Sequence, residues 1–293
     1  RRGGQRPEWA GRPGTTTFGN RSSRGREAIR GGASFSLRNS ALDARSYSLT
    51  GQTVPKPSYA QSRFSVMAGG PLRIPKLIQD DKTFFFANYS GSRSRNPYNG
   101  VATLPSALER AGDFSQSISR GPVSLYDPAT SQPFPGNVIP VSRISPAAAG
   151  LLAYMPLPNQ PGRVQNYQFL ASSPQNSDSL GLRLSRSFSR KDRLAVGYNL
   201  QQRNGESVQL YGFRDSTNGR GQNMDLSWTH NIRQGLINTL RGAFSRNRGD
   251  TLPFFAYGRN VAAELGITGT SSNPVSFGPP NLSFTNFGGL TDA

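Results

Sequence analysis

The sequence predicts an all-β fold, an antiparallel transmembrane β-barrel segment of about seven strands, on three observations. Apolar and polar residues alternate with period two along paired stretches. Short and long connections take turns between those stretches, as in a barrel with tight turns on one membrane side and long loops on the other. Only 34% of the 293 residues are hydrophobic, too few for a water-soluble domain of this size to offset its chain entropy by burial. A barrel escapes that limit because only alternate residues meet lipid.

Residues 1–30 carry eight Arg against two Glu among many Gly and Ser, and read as a basic disordered or loop segment. Residues 31–293 read as a partial barrel. Weak strands are expected at about 31–42 (Phe35, Leu37), 59–69 (Phe64, Val66, Ala68) and 82–94. In the last of these, Phe84, Phe85 and Phe86 break the alternation and suit an interfacial aromatic girdle, where both faces hold rings.

The clearest periodicity lies at 179–202. Leu180, Leu182 and Leu184 alternate with Gly181, Arg183 and Ser185, and after Ser189–Asp192 the pattern resumes with Leu194, Val196, Tyr198 and Leu200. Period two on both sides of a short polar turn is an antiparallel hairpin. A second hairpin follows, with Met224, Leu226 and Trp228, a turn at 231–235, and a return through Leu236, Leu240 and Phe244. The expected lipid-facing set is Leu180, Leu182, Leu184, Leu194, Val196, Tyr198, Leu200, Leu226, Trp228, Leu236, Leu240 and Phe244.

The links at 43–58, 95–177, 203–222 and beyond 248 read as long, and those at 70–81, 189–193 and 231–235 as short. The Pro-rich link at about 95–177 is too long for an ordinary connection, so it should be functional or internally structured. Ser106 and Glu109 fit a capping box, Ser145-Pro146 opens a helix running to Met155, and Asn260 caps Val261–Leu265 before Gly266. Tyr98, Asp113, Tyr126, Arg143 and Tyr167 are candidates for an extracellular substrate mouth. The bland alternative has Asp113 capping, Tyr126 buried and Arg143 paired within the loop.

The net charge of +18 calls for an anionic environment: lipopolysaccharide phosphates, an acidic substrate or nucleic acid. Arginines at polar strand positions (Arg183, Arg241) suit a lumen, so no nucleic acid is expected, although Arg1-Arg2-Gly3-Gly4 and Arg30-Gly31-Gly32 look like RNA-binding elements. With no Cys and one His (His230), thiolate sites, Cys–His catalysis and histidine-rich zinc sites are excluded. No G-x-S-x-G, Walker A loop or dinucleotide fingerprint is found. No enzyme activity, cofactor or metal is therefore expected.

Several segments resemble the Oar-like TonB-dependent outer-membrane transporters. Leu37–Arg45 is similar to that family's "LRNDALDAR" passage, with Ser40 where the family has Asp. Gly69-Gly70-Pro71 with Lys82–Phe86 and Asn88-Tyr89 resembles its "GGP…KTFFFxNYE" strand pair, with Ser90 in place of Glu. Glu109–Ser115, Tyr126–Thr130, Phe134–Pro140, Arg143–Pro146 and Pro156–Asn159 resemble its "ERxGDFS" and "YDPxTxxPFPGNxIPxxRIxP…PxPN" stretches, and Leu265–Gly269 is a fifth match.

The resemblance implies part of a receptor barrel of about 22 strands in the cell outer membrane, taking up a glycan or siderophore with energy relayed by the TonB system through a plug. Outer-membrane lipid, lipopolysaccharide and an extracellular solute would be its partners. The regulatory-like domain, TonB-contacting segment and plug have no counterpart here, and no signal peptide opens the chain, so a fragment of a longer parent is expected. The alternative reading is a surface adhesion module that grips polysaccharide; stability as a monomer without detergent would favour it.

Overall fold

The computed structural model describes residues 15–19 (backbone only), 29–44, 58–78, 80–117 and 124–292. Their strands form one sheet in simple chain order: β1 (Thr15–Gly19), β2 (Arg30–Asn39), β3 (Ala60–Pro71), β4 (Thr83–Ala102), β5 (Tyr167–Ser187), β6 (Asp192–Val208), β7 (Arg214–Arg233) and β8 (Leu236–Leu252). The β1–β2, β2–β3, β3–β4 and β5–β6 pairs are antiparallel. The all-β expectation holds, with eight strands in place of seven. The added strand, β1, lies inside the segment read as disorder or loop; the rest of 1–28 is outside the described residues.

The strands are also longer than their apolar alternation. β4 runs to Ala102, β5 starts at Tyr167 and β7 continues to Arg233. The irregular link between β4 and β5 is therefore 103–166, shorter than the expected 95–177. The expected long link at 203–222 is only 209–213, closed by Gln209 N–H to the Phe213 carbonyl at 2.9 Å. Both corrections have one cause. Away from the central stretch the apolar alternation stops, in polar runs at the start of β7 and in irregular ones at the start of β5, so the ladder continues after the period that reveals it has ended. The opposite connections, 72–82, 188–191 and 234–235, stay short.

The chain divides into two compact units, and the division falls inside the long strands. The first comprises 1–96, 174–205 and 218–250; the second comprises 97–173, 206–217 and 251–293.

In the first unit, register sorts side chains onto two faces. Leu180 pairs with Leu200, Leu182 with Tyr198, and Leu184 with Val196; Phe35 pairs with Phe64 and Val66 with Tyr89. These make an apolar first face. The second face is polar, with Ser34 opposite Ser65, Arg63 opposite Ser92, and Ser179 opposite Gln201. Phe85 sits on the first face opposite Gly70, while Phe84 and Phe86 sit on the second opposite Pro71 and Gly69, so both faces do hold rings.

Polar groups bound the apolar band at both ends. Toward the short turns, Arg186 holds Asp80 at 3.0 Å and His230 meets Asp192 at 2.7 Å. Toward the other end, Asp178 receives Tyr89 Oη at 2.6 Å and Arg93 at 2.8 Å. Asp178 to Arg186 spans about nine residues, within the range of about 9–11 that a tilted strand needs to cross a membrane.

Close packing on the first face requires one glycine. The Phe64 ring lies directly over Gly91, and Arg93 lies over the same ring 5.6 Å from its centroid. Any Cβ at position 91 would collide with that ring. Gly91→Val should therefore destabilise the sheet by about 1–3 kcal/mol, read as a lower urea midpoint for the detergent-folded protein. Ser92→Val, on the other face, should shift it less.

Candidate functional site

Two surfaces carry the chemistry, one in each unit. The second face of the first unit is a continuous polar field. Glycines let long polar side chains lie flat on it: Asn88 rests over Gly181, and Asp225 over Gly197. Phe86, Asn88, Gly181, Arg183, Asn199 and Asp225 border a hollow of about 190 Å³. Ser245 Oγ donates to Asn223 Oδ1 at 2.7 Å, which puts the odd positions of β7 and β8 on this face. Gln222 Nε2 donates to Tyr198 Oη at 3.1 Å on the opposite face. Leu226 and Trp228 share the parity of Gln222, and Leu236, Leu240 and Phe244 are of opposite parity to Ser245. All twelve residues expected to meet lipid thus share the first face.

The second unit has its own hydrophobic core. Leu151, Met155, Phe255, Val261 and Leu290 are buried together, with Tyr154, Tyr211, Phe213, Leu265 and Leu282 packed around them. Phe255 meets Phe213 at 4.9 Å and Tyr154 at 5.8 Å between ring centres. Of the short helices among the described residues, α1 (Ala107–Arg110), α2 (Pro146–Leu152) and α3 (Val261–Glu264), the last two bury side chains in it. α1 has the expected capping box, with Glu109 N–H donating to Ser106 Oγ at 3.3 Å and Ser106 N–H to Glu109 at 2.7 Å. α2 starts at Pro146 and ends at Leu152, short of the expected Met155, and Ser145 makes no side-chain cap. Asn260 caps α3 through Ala263 N–H at 3.1 Å, and Gly266 follows with φ of +68°.

The link at 103–166 is held by side chains that take the place of a ladder. Arg110 donates to the carbonyls of Pro105 (3.1 Å), Leu152 (3.0 Å), Met155 (2.7 Å) and Pro156, tying its own helix to the segment that leaves α2. Asn166, only 4% exposed, accepts from Leu104 N–H at 2.7 Å and donates back to its carbonyl at 2.8 Å. Asp215, equally deep, accepts from Gln209 at 2.7 Å and from Phe254 N–H at 3.0 Å. Neither was legible in the sequence, because a buried polar residue carries no periodicity.

The five mouth candidates have separate structural partners. Tyr98 packs edge-on to Phe169 at 6.2 Å, and Tyr167, 5% exposed, tilts against Tyr211 at 6.3 Å. Asp113 accepts from Ser115 N–H at 2.9 Å, and Ser115 holds its carboxyl below the usual range. Arg143 pairs with Asp127 at 2.6 Å. Asp113 and Arg143 thus play the loop-shaping parts that the bland reading gave them. Tyr126 does not, since it is 61% exposed and bridges only through its backbone to Pro133. His230 lies beside Trp228 with its ring held by Asp192. Among the described residues no group of His, Asp and Glu has the arrangement of a metal site.

A family model described as an outer membrane beta barrel domain matches residues 23–293. No curated protein and no solved structure matches the chain.

Two outcomes test this geometry. Arg110→Ala should leave the carbonyls that it gathers without their donor and cost the second unit about 1–3 kcal/mol, seen as faster proteolysis within 103–166, with Arg110→Lys rescuing only part because a point charge cannot span four carbonyls. Burial pushes the Tyr211 phenol from 10.0 up to about 12, and its hydroxyl donates to the Gly288 carbonyl at 2.9 Å. A raised folded-state pKa gives stability that is complete below pH 10 and lost as pH rises through about 12. Proteolysis of the second unit should accelerate across that window, and Tyr211→Phe should flatten the pH dependence.

Proposed function

The chain belongs to the outer membrane beta barrel domain family, and from that premise we propose that it is part of a TonB-dependent receptor that imports a bulky glycan or siderophore. The outer-membrane location and the β-barrel fold follow from the family and the single antiparallel sheet. Transport is the further step. One observation carries it: in the first unit the sheet is apolar on one face between two polar belts and mainly polar on the other. Such a wall separates lipid from an aqueous lumen, and nothing in it performs chemistry on a substrate.

In this reading the first face, with Leu180, Leu182, Leu184, Leu194, Val196, Tyr198, Leu200, Leu226, Trp228, Leu236, Leu240 and Phe244, meets hydrocarbon. The second face, with Arg63, Arg183 and Asp225, lines the path. The link at 103–166 and the C-terminal residues are extracellular, since short turns of such barrels are periplasmic. Of the mouth candidates, exposed Tyr126 keeps a side chain free for a solute, while Tyr98, Asp113, Arg143 and Tyr167 shape the surface that presents it. Energy reaches the solute through a plug supplied by the whole receptor. The basic charge suits contact with lipopolysaccharide and needs no nucleic acid.

The faces are tested by moving one charge across the sheet in the full-length protein. Val196→Arg should block assembly into the outer membrane, at about 2–4 kcal/mol for an arginine near the bilayer midplane, and Asn199→Arg should be tolerated. Equal tolerance would overturn the barrel wall. Transport is tested separately by uptake of labelled solute. Uptake should stop when an uncoupler collapses the inner-membrane gradient, and uptake that persists would leave a passive pore.

A further inference from the structure

The first face carries charged groups at both of its ends. Beside the short turns Arg186 pairs with Asp80, and His230 meets Asp192. At the opposite end β7 and β8 bring arginines together. Continuing the antiparallel count three residues from the Asn223–Ser245 bond sets Arg220 opposite Arg248, and Arg246 lies one face position nearer the apolar band. Like charges directly across a strand pair repel. Arg248 holds Asp250 at 2.7 Å. Among the described residues Arg220 and Arg246 have no acidic partner, and the nearest carboxylate in the same row, Asp178, is already engaged by Arg93 and Tyr89.

Arg203, Arg220 and Arg248 border a groove of about 310 Å³ with Gln202, Asn204 and the two carboxylates Asp178 and Asp250, each already paired with an arginine, all within the first unit. The groove begins one row, about 7 Å of strand, beyond the last apolar pair, Leu180 and Leu200. A ligand there would set an anionic group on the guanidiniums and an apolar tail on the leucine rows.

Resting on the barrel reading, which turns this face to lipid, we propose that Arg220, Arg246 and Arg248 form a binding site for the phosphates of a phosphorylated glycolipid in the outer leaflet. Guanidinium forks bind phosphate oxygens in pairs, and a phosphate dianion removes the repulsion between the facing arginines. The adjoining apolar rows favour a lipid over a free anion, because a soluble phosphate gains nothing from them.

The test uses the full-length protein folded in detergent, titrated with bisphosphorylated lipid A, with its dephosphorylated form and with inorganic phosphate. The wild type should prefer bisphosphorylated lipid A over both, with affinity falling as salt rises. The triple variant R220Q/R246Q/R248Q should bind it about tenfold or more weakly, whereas R220K/R246K/R248K, which keeps the charge and loses the forks, should bind between the two. Equal binding by wild type and the neutral triple variant overturns the site, and equal affinity for inorganic phosphate shows a free-anion site instead. Both outcomes leave the barrel intact, provided that the proteins show heat-modifiable mobility on gels. A wild type that fails to show it removes the barrel reading and this site with it.

Discussion

The cross-strand pairing of Leu180 with Leu200, Leu182 with Tyr198 and Leu184 with Val196 is the constraint from which the rest of the first unit follows. Alternation within one strand says only that two faces differ. Pairing at this register joins the apolar rows of neighbouring strands into one band and the polar rows into one field. A slip of a single residue would interleave leucines with Arg183 and Asn199 and destroy both. The polar field then needs room for its longer side chains, and Gly181 and Gly197 supply it under Asn88 and Asp225. The apolar band needs a smooth outline, and Gly91 supplies it beneath Phe64.

In the second unit, satisfaction of the backbone plays the part that register plays in the first. A long Pro-rich segment cannot run a continuous ladder, since each proline removes a donor. Its carbonyls and amides still need partners where they are buried. Arg110, Asn166 and Asp215 meet that need at three junctions, each bonding backbone groups distant in sequence. A core built from α2, α3, Phe255 and Leu290 then gives these bonds a dry setting. Loops organised in this way hold a fixed shape without a ladder.

The charge of +18 has no single cause. Arg63 and Arg183 lie on the polar field, Arg110 and Arg143 hold loops, and Arg220, Arg246 and Arg248 gather at one margin of the apolar band. Composition weighs these arginines alike. Position separates the arginines that hold loops from those that line the polar field or the margin of the apolar band.

The sequence alone determined the class of fold and the face assignment of the central strands, because a period of two is written in neighbouring residues and survives without knowledge of the partner strand. It also determined the capping box at Ser106–Glu109 and the cap at Asn260, which depend on contacts three residues apart. Only the tertiary structure decided where the strands end, since β4 to β7 continue through polar residues whose hydrogen-bond partners lie on another strand. The same holds for β1, for the five-residue turn at 209–213, and for the exposure of Tyr126. Burial of Asn166 and the meeting of Arg220 with Arg248 join residues far apart along the chain. Such contacts are set by register and packing, which no local pattern encodes.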